Sequence, residues 1–228
     1  MWKTFAAIKL HTLIIASAAT ATAFAGQVTS APVSSDNNSY VGVSGLYNEF
    51  SGGTEAEGFR LDAGFGLGNG LSLDGRFENA YLDTIGSGDS AMDLKYNELR
   101  ALAHYTTQLN DGVSLIAGLG YGDMGFSSGG VDFLATEGLL ADIGIQAQSG
   151  QYTASLTYTH LFALHASTFS FGPSDSAAPK EDIGLLEASL GYQVNENVSA
   201  ILSAQTQVLG DTEVEKDLSV TASVRYSF

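Results

Sequence analysis

Residues 59–78 read Phe59-Arg60-Leu61-Asp62-Ala63-Gly64-Phe65-Gly66-Leu67-Gly68-Asn69-Gly70-Leu71-Ser72-Leu73-Asp74-Gly75-Arg76-Phe77-Glu78. Phe59, Leu61, Ala63, Phe65 and Leu67 alternate with Arg60, Asp62, Gly64 and Gly66. After Gly68-Asn69-Gly70 the alternation resumes, with Leu71, Leu73, Gly75 and Phe77 against Ser72, Asp74, Arg76 and Glu78. Side chains of an extended chain point to opposite faces with period two, so each half reads as a strand with one apolar face. The Gly-Asn-Gly separator tolerates the positive φ of a tight hairpin turn. Setting Leu67 opposite Leu71 places Arg60 opposite Glu78 and Asp62 opposite Arg76. A slip of two residues would bring Asp62 against Glu78, and a slip of one would turn the whole apolar set over, so the charges help to specify the register.

The same alternation runs outward in both directions. Ten segments carry it, at about 40–50, 57–67, 71–82, 92–108, 113–124, 134–148, 151–163, 183–194, 198–209 and 216–228. Short connections (68–70, 109–112, 149–150, 195–197) alternate with mostly longer, more polar ones near 51–56, 83–91, 125–133, 164–182 and 210–215. This is the spacing of an up-and-down antiparallel barrel. The fourth segment is the least regular, with a break of parity between Tyr96 and Leu99; eight strands is the fallback count.

Ahead of the barrel, Lys3 and Lys9, the apolar run Leu13 to Ala19 and Ala23-Phe24-Ala25 have the order of a secretory signal peptide over residues 1–25. The apolar run falls short of the roughly 20 residues that a spanning helix needs. Residues 26–38, rich in Ser, Asn and small side chains, read as a flexible lead-in. The 228 residues hold 9 Lys plus Arg against 25 Asp plus Glu, a net charge of −16. Removing residues 1–25, which include Lys3 and Lys9 and no acid, leaves 203 residues at a net −18. Such a chain lacks the basic footprint of a nucleic-acid binder. The absence of cysteine excludes a disulfide framework, a thiolate nucleophile and a Cys-ligated metal.

Which face meets which solvent follows from side-chain volume. One face collects Leu139, Ala141, Ile143 and Ile145, then Ala154, Leu156, Tyr158 and Phe162, then Ala188, Leu190, Tyr192 and Val194, and finally Leu218, Val220, Ala222, Val224, Tyr226 and Phe228. The other holds Asp142, Gly144 and Gln146, then Thr153, Ser155, Thr157 and Thr159, then Glu187, Ser189, Gly191 and Gln193, and lastly Ser219, Thr221, Ser223, Arg225 and Ser227. Small and polar residues suit the crowded lumen of a small barrel, and the bulky set suits a wall in contact with lipid. Aromatic residues near the strand ends form two expected interfacial belts. Tyr47, Tyr81, Tyr96, Tyr121 and Phe162 make one, and Tyr105, Tyr152, Tyr192, Tyr226 and Phe228 the other.

With its leader ending Ala23-Phe24-Ala25, its alternating strands over 40–228 in a barrel domain bounded at 39–228, and its ending Val224-Arg225-Tyr226-Ser227-Phe228, the sequence resembles the small Gram-negative outer-membrane β-barrel proteins. Its spacing is similar to that of opacity-type, porin-like and diffusible-signal-regulated barrels of ten strands. The resemblance implies an all-β transmembrane barrel in the outer membrane, with short turns in the periplasm and long loops outside. It also implies that Tyr226 and Phe228 belong to the signal read by the barrel-assembly machinery. Periplasmic chaperones, outer-membrane lipid and lipopolysaccharide are the partners implied. The role expected is structural or surface-interacting, with at most a narrow pore. Porin-like passage of small solutes or ions is the alternative, and an outer-membrane hydrolase the third reading.

The charges on the inward face are Arg60, Asp62, Asp74, Arg76, Glu78, Glu98, Arg100, Asp142, Glu187 and Arg225. Unpaired ions in a low dielectric cost several kcal/mol, so these are expected to pair. A plug of salt bridges is expected before an ion-selective constriction. The wall offering Ser114, Gly118, Gly120 and Gly122, with the Ser and Thr of the seventh and tenth segments, is expected to leave a narrow watery path. Catalysis is not expected: an omptin-like protease needs an Asp–His couple, and none of His104, His160 and His165 has an Asp two positions away. A Ser–His pair of His165 with Ser167 or Ser170 rests only on loop composition. No cofactor is implied, and no metal constellation has proper spacing. Asp211, Glu213 and Glu215, like Asp175, Glu181 and Asp182, form acidic loops where divalent cations would bridge to lipopolysaccharide phosphates.

Overall fold

The computed structural model describes residues 39–51, 53–82, 94–128, 131–168, 181–210 and 216–228. The Phe59–Glu78 stretch forms a hairpin with Arg60 opposite Glu78 and Asp62 opposite Arg76. Its turn is one residue tighter than the sequence reading. Gly68 pairs with Leu71, Leu67 is the bulge between two pairing steps, and Gly68, Asn69 and Gly70 all take positive φ (85°, 55° and 80°). Leu67 and Leu71 still both face outward.

Ten strands follow one another among the described residues. They are β1 (Tyr40–Phe50), β2 (Thr54–Gly68), β3 (Leu71–Leu82), β4 (Lys95–Asn110), β5 (Val113–Ser128), β6 (Val131–Ser149), β7 (Tyr152–Thr168), β8 (Ile183–Gln193), β9 (Val198–Leu209) and β10 (Lys216–Ser227). Each pairs antiparallel with its neighbour, and β1 pairs with β10 from Tyr40–Ser227 to Phe50–Lys216, so the sheet closes as a barrel. Closure leaves no strand edge with unpaired backbone groups, which is what permits strands to cross lipid. The turns β2–β3, β4–β5, β6–β7 and β8–β9 and both strand termini mark one end, here the turn end; the opposite end is the loop end.

Two expected connections are shorter than the sequence implied. The stretch 125–133 is largely strand, because β5 and β6 run to Ser128 and from Val131, and 51–56 contracts to a turn closed by the Gly53 N–H donating to the Phe50 carbonyl at 3.0 Å. With 16, 19 and 17 residues, β5, β6 and β7 exceed the roughly 9–11 that span a bilayer, and the excess lies at the loop end. The expected leader 1–25, the lead-in 26–38, and Asp175, Asp211, Glu213 and Glu215 lie outside the described residues.

Inside and outside divide by parity. Leu119, Ile143, Leu139, Val224 and Phe65 are exposed on the outer wall, Leu119 at 71%, while Thr159, Ser203, Ser219 and Thr221 are buried inside. An arginine at Leu119, on the mid-wall of β5, would have to sit in hydrocarbon. Leu119→Arg is therefore expected to cost about 2–4 kcal/mol in urea refolding into phospholipid vesicles, whereas a barrel packed with its leucines inside would fail to fold at all.

The belts hold with one correction. Tyr81, Tyr121, Tyr105, Tyr152, Tyr192, Tyr226 and Phe228 are exposed, but Tyr96 is buried inside. Once Tyr96 is inward, β4 has no break of parity, since Tyr96, Glu98, Arg100, Leu102 and His104 all lie on the inner face.

Candidate functional site

The inner face is layered along the barrel axis. The charged layer begins on β3 and β4, where neighbouring strands set like charges opposite each other: Arg76 against Arg100 and Glu78 against Glu98. Such pairs repel. Compensation comes from the far wall. Lys216 on β10 places its Nζ 3.1 Å from Glu78 Oε2 and 3.2 Å from Glu98 Oε2, and Glu187 on β8 accepts from Arg76 Nη1 at 2.8 Å. Arg76 also reaches Asp62 at 3.2 Å, Arg60 bonds Asp62 at 3.0 Å and stands 3.8 Å from Glu78, and Arg100 pairs with Glu98. The lumen is thus tied across its diameter and not only along its wall.

Lys216 does not appear among the inward charges read from sequence, because counting by twos from Ser219 sends it outward. A bulge at Asp217 shifts the pairing, so that Leu218 faces Glu49 while Lys216 faces Phe50, and the extra residue re-aims the lysine inward. Its side chain also lies over the Tyr96 ring at 4.4 Å.

Nearer the turn end, His104 Nδ1 lies 2.8 Å from Asp74 Oδ2 and Nε2 lies 3.2 Å from Asp142 Oδ2. Tyr40 and Ser72 donate to the same Asp74 carboxylate at 2.8 and 2.7 Å. The histidine's partners sit on other strands, so no spacing within its own segment announces them. Gly118 makes the reach to β6 possible: it faces His104 on one side and Asp142 on the other, and a Cβ there would overlap His104 Cδ2 and lie 2.7 Å from Nε2. Gly118→Val is expected to push the ring off Asp142 and cost about 1.5–3 kcal/mol, the range for hydrogen bonds to charged groups. Urea refolding titrations of the variant would measure it.

Toward the loop end the interior turns apolar, which the sequence reading did not expect. Leu46, Phe50, Tyr96, Met124, Phe126, Leu140, Leu161, Ile183 and Leu185 pack into one buried cluster. Phe126 stands edge-on to Phe50 at 5.0 Å and to Tyr96 at 5.4 Å. In or above the charged layer every strand sends a buried side chain inward: in strand order Phe50, Ala56, Ala80, Tyr96, Phe126, Leu140, Leu161, Leu185, Gln205 and Ser219. The small-residue wall does leave space below that level. A polar cavity of about 470 Å³ is lined at the turn end by Tyr40, Arg225 and the Ser, Thr and Gly residues of β7–β10, and its deepest lining is Arg60, Arg76 and Glu187.

Arg225 differs from the other three arginines of the lumen. Its guanidinium lies 3.9 Å over the Tyr40 ring, and no carboxylate of the described residues comes within 4.0 Å of it. The other two histidines among the described residues, His160 and His165, are engaged toward the loop end. His160 meets the Tyr158 hydroxyl at 2.9 Å and Asp182 at 3.4 Å, and His165 Nδ1 lies 3.0 Å from Glu137. Ser170 and the Ser167 side chain lie outside what is described. Asp182 is held by His160 and by the Ala163 backbone N–H at 3.0 Å.

A closed antiparallel barrel with leucine and phenylalanine outside and ion pairs inside is a membrane-spanning β-barrel. No protein-family model matches the chain, and no curated protein sequence matches it. Solved structures do. An outer membrane channel of Pseudomonas putida F1 is 7% identical with a TM-score of 0.54, over 89% of this chain and 98% of that one. The beta domain of the Bordetella autotransporter Brka is 13% identical with a TM-score of 0.50, over 85% and 100%. The attachment invasion locus protein of Yersinia pestis, in complex with the heparin analogue sucrose octasulfate, is 14% identical with a TM-score of 0.42, over 85% and 99%. The fold is that of the small outer-membrane β-barrels, here with ten strands and not the fallback eight.

Proposed function

We propose that the chain is a sealed barrel of a Gram-negative outer membrane with a structural or surface-interaction role. The observation that carries this reading is the filled lumen: charges tied across the diameter by Lys216 and Glu187, capped by the Phe50–Tyr96–Phe126 cluster. Strands β5–β7, extended at the loop end beyond the interfacial Tyr121 with its hydrogen bond to Glu137 at 2.7 Å, form the part that stands clear of lipid for contact outside the cell. Residues 1–25 act as the export signal and 26–38 as a periplasmic lead-in. Tyr226 and Phe228, exposed at the end of β10, serve the assembly machinery after delivery by periplasmic chaperones. No catalytic step is proposed, since both ring nitrogens of His104 already face carboxylates.

Porin-like passage is the second reading, favoured by the turn-end cavity. Planar-bilayer recording of refolded protein separates the two. The sealed barrel gives no regular current steps, and steady unitary steps in the native protein would replace it with the channel. Deleting the β5–β6 tip should then abolish adhesion to host-cell or matrix surfaces if the role is interaction.

A further inference from the structure

We infer that the turn-end cavity is a binding site for a small polyhydroxylated carboxylate of the acidic-sugar class, held by its carboxylate on Arg225. Arg76 is matched by Asp62 and Glu187, Arg60 by Asp62, and Arg100 by Glu98. Arg225 has an aromatic platform in place of a counter-ion. The platform is itself fixed, because the Tyr40 hydroxyl donates to Asp74 at 2.8 Å. A guanidinium stacked flat on a ring keeps its in-plane N–H groups free, in the fork that fits a carboxylate with two hydrogen bonds.

The rest of the cavity selects the body of the ligand. Ser155 and Ser189, hydrogen-bonded to each other at 2.7 Å, line it with Ser199 and Ser203 from β7–β9, and a bonded hydroxyl still has an acceptor lone pair to offer a sugar hydroxyl. At the deep end Asp62, Arg76 and Glu187 already satisfy one another, so that end favours a neutral polar group over a second ion. The volume of about 470 Å³ lies within the range of small-molecule pockets, and its lining joins the polar groups to an apolar patch at Ile201, which suits the carbon face of a sugar ring. Entry is from the turn end, so the ligand would come from the periplasm and need not cross the seal. The inference therefore stands apart from whether the lumen conducts.

Isothermal titration of the folded protein in detergent with glucuronate, glucose and inorganic phosphate tests it. Glucuronate should bind, with glucose and phosphate each weaker by about tenfold or more, since each lacks half of the recognition. Arg225→Gln should lose glucuronate binding by a similar factor. Because Arg225 lies in the last strand, its replacement could hinder folding, so Gly191→Leu provides the second variant. A Cβ at Gly191 meets nothing closer than 3.6 Å, and its nearest neighbours are Thr153 and Ile201, so the longer side chain takes up cavity space without replacing a charged residue. Both variants are accepted only if unheated gel mobility shows a folded barrel. Absence of glucuronate binding, binding unchanged in folded Arg225→Gln or Gly191→Leu, or phosphate binding as tightly as glucuronate would each overturn the assignment.

Discussion

Lys216→Met is expected to lower the stability of the barrel by about 3–5 kcal/mol, the cost of removing one partner from a buried ion pair. Lys216 is 3% exposed and Glu78 and Glu98 are 0% and 1% exposed, so water cannot take over the lost charge. The two glutamates face each other across β3 and β4. Arg60, 3.8 Å from Glu78, and Arg100 on Glu98 remain, but each belongs to one carboxylate, and only Lys216 touches both. Methionine keeps a long apolar side chain and removes the cation, and with it both the ion pairs and the cation–π contact of Nζ with Tyr96. Neutralising one glutamate should then recover most of the loss. In Lys216→Met with Glu78→Gln, Glu98 keeps Arg100 and Arg60 keeps Asp62. Urea titrations in vesicles, followed by far-ultraviolet circular dichroism because the only tryptophan is Trp2, give the double-mutant cycle. A single-variant loss under about 1 kcal/mol, the scale of an exposed ion pair, would show the lysine to be solvated and the diametric tie absent.

That lysine marks where the alternation stops being informative. Period two says which face a side chain takes, and it correctly set Leu139, Ile143 and Val224 outside and Arg60, Asp142 and Thr221 inside. A turn at Gly68-Asn69-Gly70 is equally legible from local backbone chemistry, though not that Gly68 pairs with Leu71, and the bulge at Leu67 preserves the facing of Arg60 and Glu78. A bulge changes the count by one without any signature in a charged sequence, so alternation alone does not place Lys216 among the inward charges. Leu140, Leu161 and Leu185 share the parity of Asp142, Thr159 and Glu187, so the apolar inner layer was readable in principle. It was obscured because their outward neighbours Leu139, Phe162 and Leu186 are equally large. Tyr96 failed for a related reason: an aromatic residue near a strand end suits a membrane interface and a capped lumen alike. The partners of His104, and Glu187 as the second partner of Arg76 beside the legible Asp62, could not be read along the chain at all. Which strand lies across a lumen, and at what height, depends on closure and stagger, properties of the whole sheet. One clue was available, since aligning β3 with β4 sets arginine on arginine and glutamate on glutamate, an arrangement that demands charges from elsewhere.

Phe50→Ala is expected to cost about 3–5 kcal/mol and, unlike Lys216→Met, to admit current. Phe50 is 1% exposed and its ring contacts Phe126 and Tyr96, so rings from β1, β4 and β5 meet over the charged layer. Deleting the ring removes their common partner. A void in an ordinary core stays enclosed by protein, whereas this one opens inside a barrel between the charged layer, with the polar cavity beneath it, and the loop end, where water has a reason to enter from both sides. Its neighbours cannot easily close the gap, because the backbone hydrogen-bond ladder on either side fixes the distance across the lumen. In planar bilayers the variant should therefore show discrete steps in conditions where the native protein shows none. Phe59→Ala is the matched control: the same atoms are removed from the outer wall, where Phe59 is 40% exposed and packs on Phe77 at 6.1 Å. Lipid refills that space, so its conductance should stay that of the native protein and its loss of stability should be the smaller. Equal behaviour of the two variants, in current and in urea midpoint alike, would show that the aromatic cluster fills the lumen without sealing it. The seal would then fall to the salt bridges alone, and Lys216→Met would be the variant that conducts.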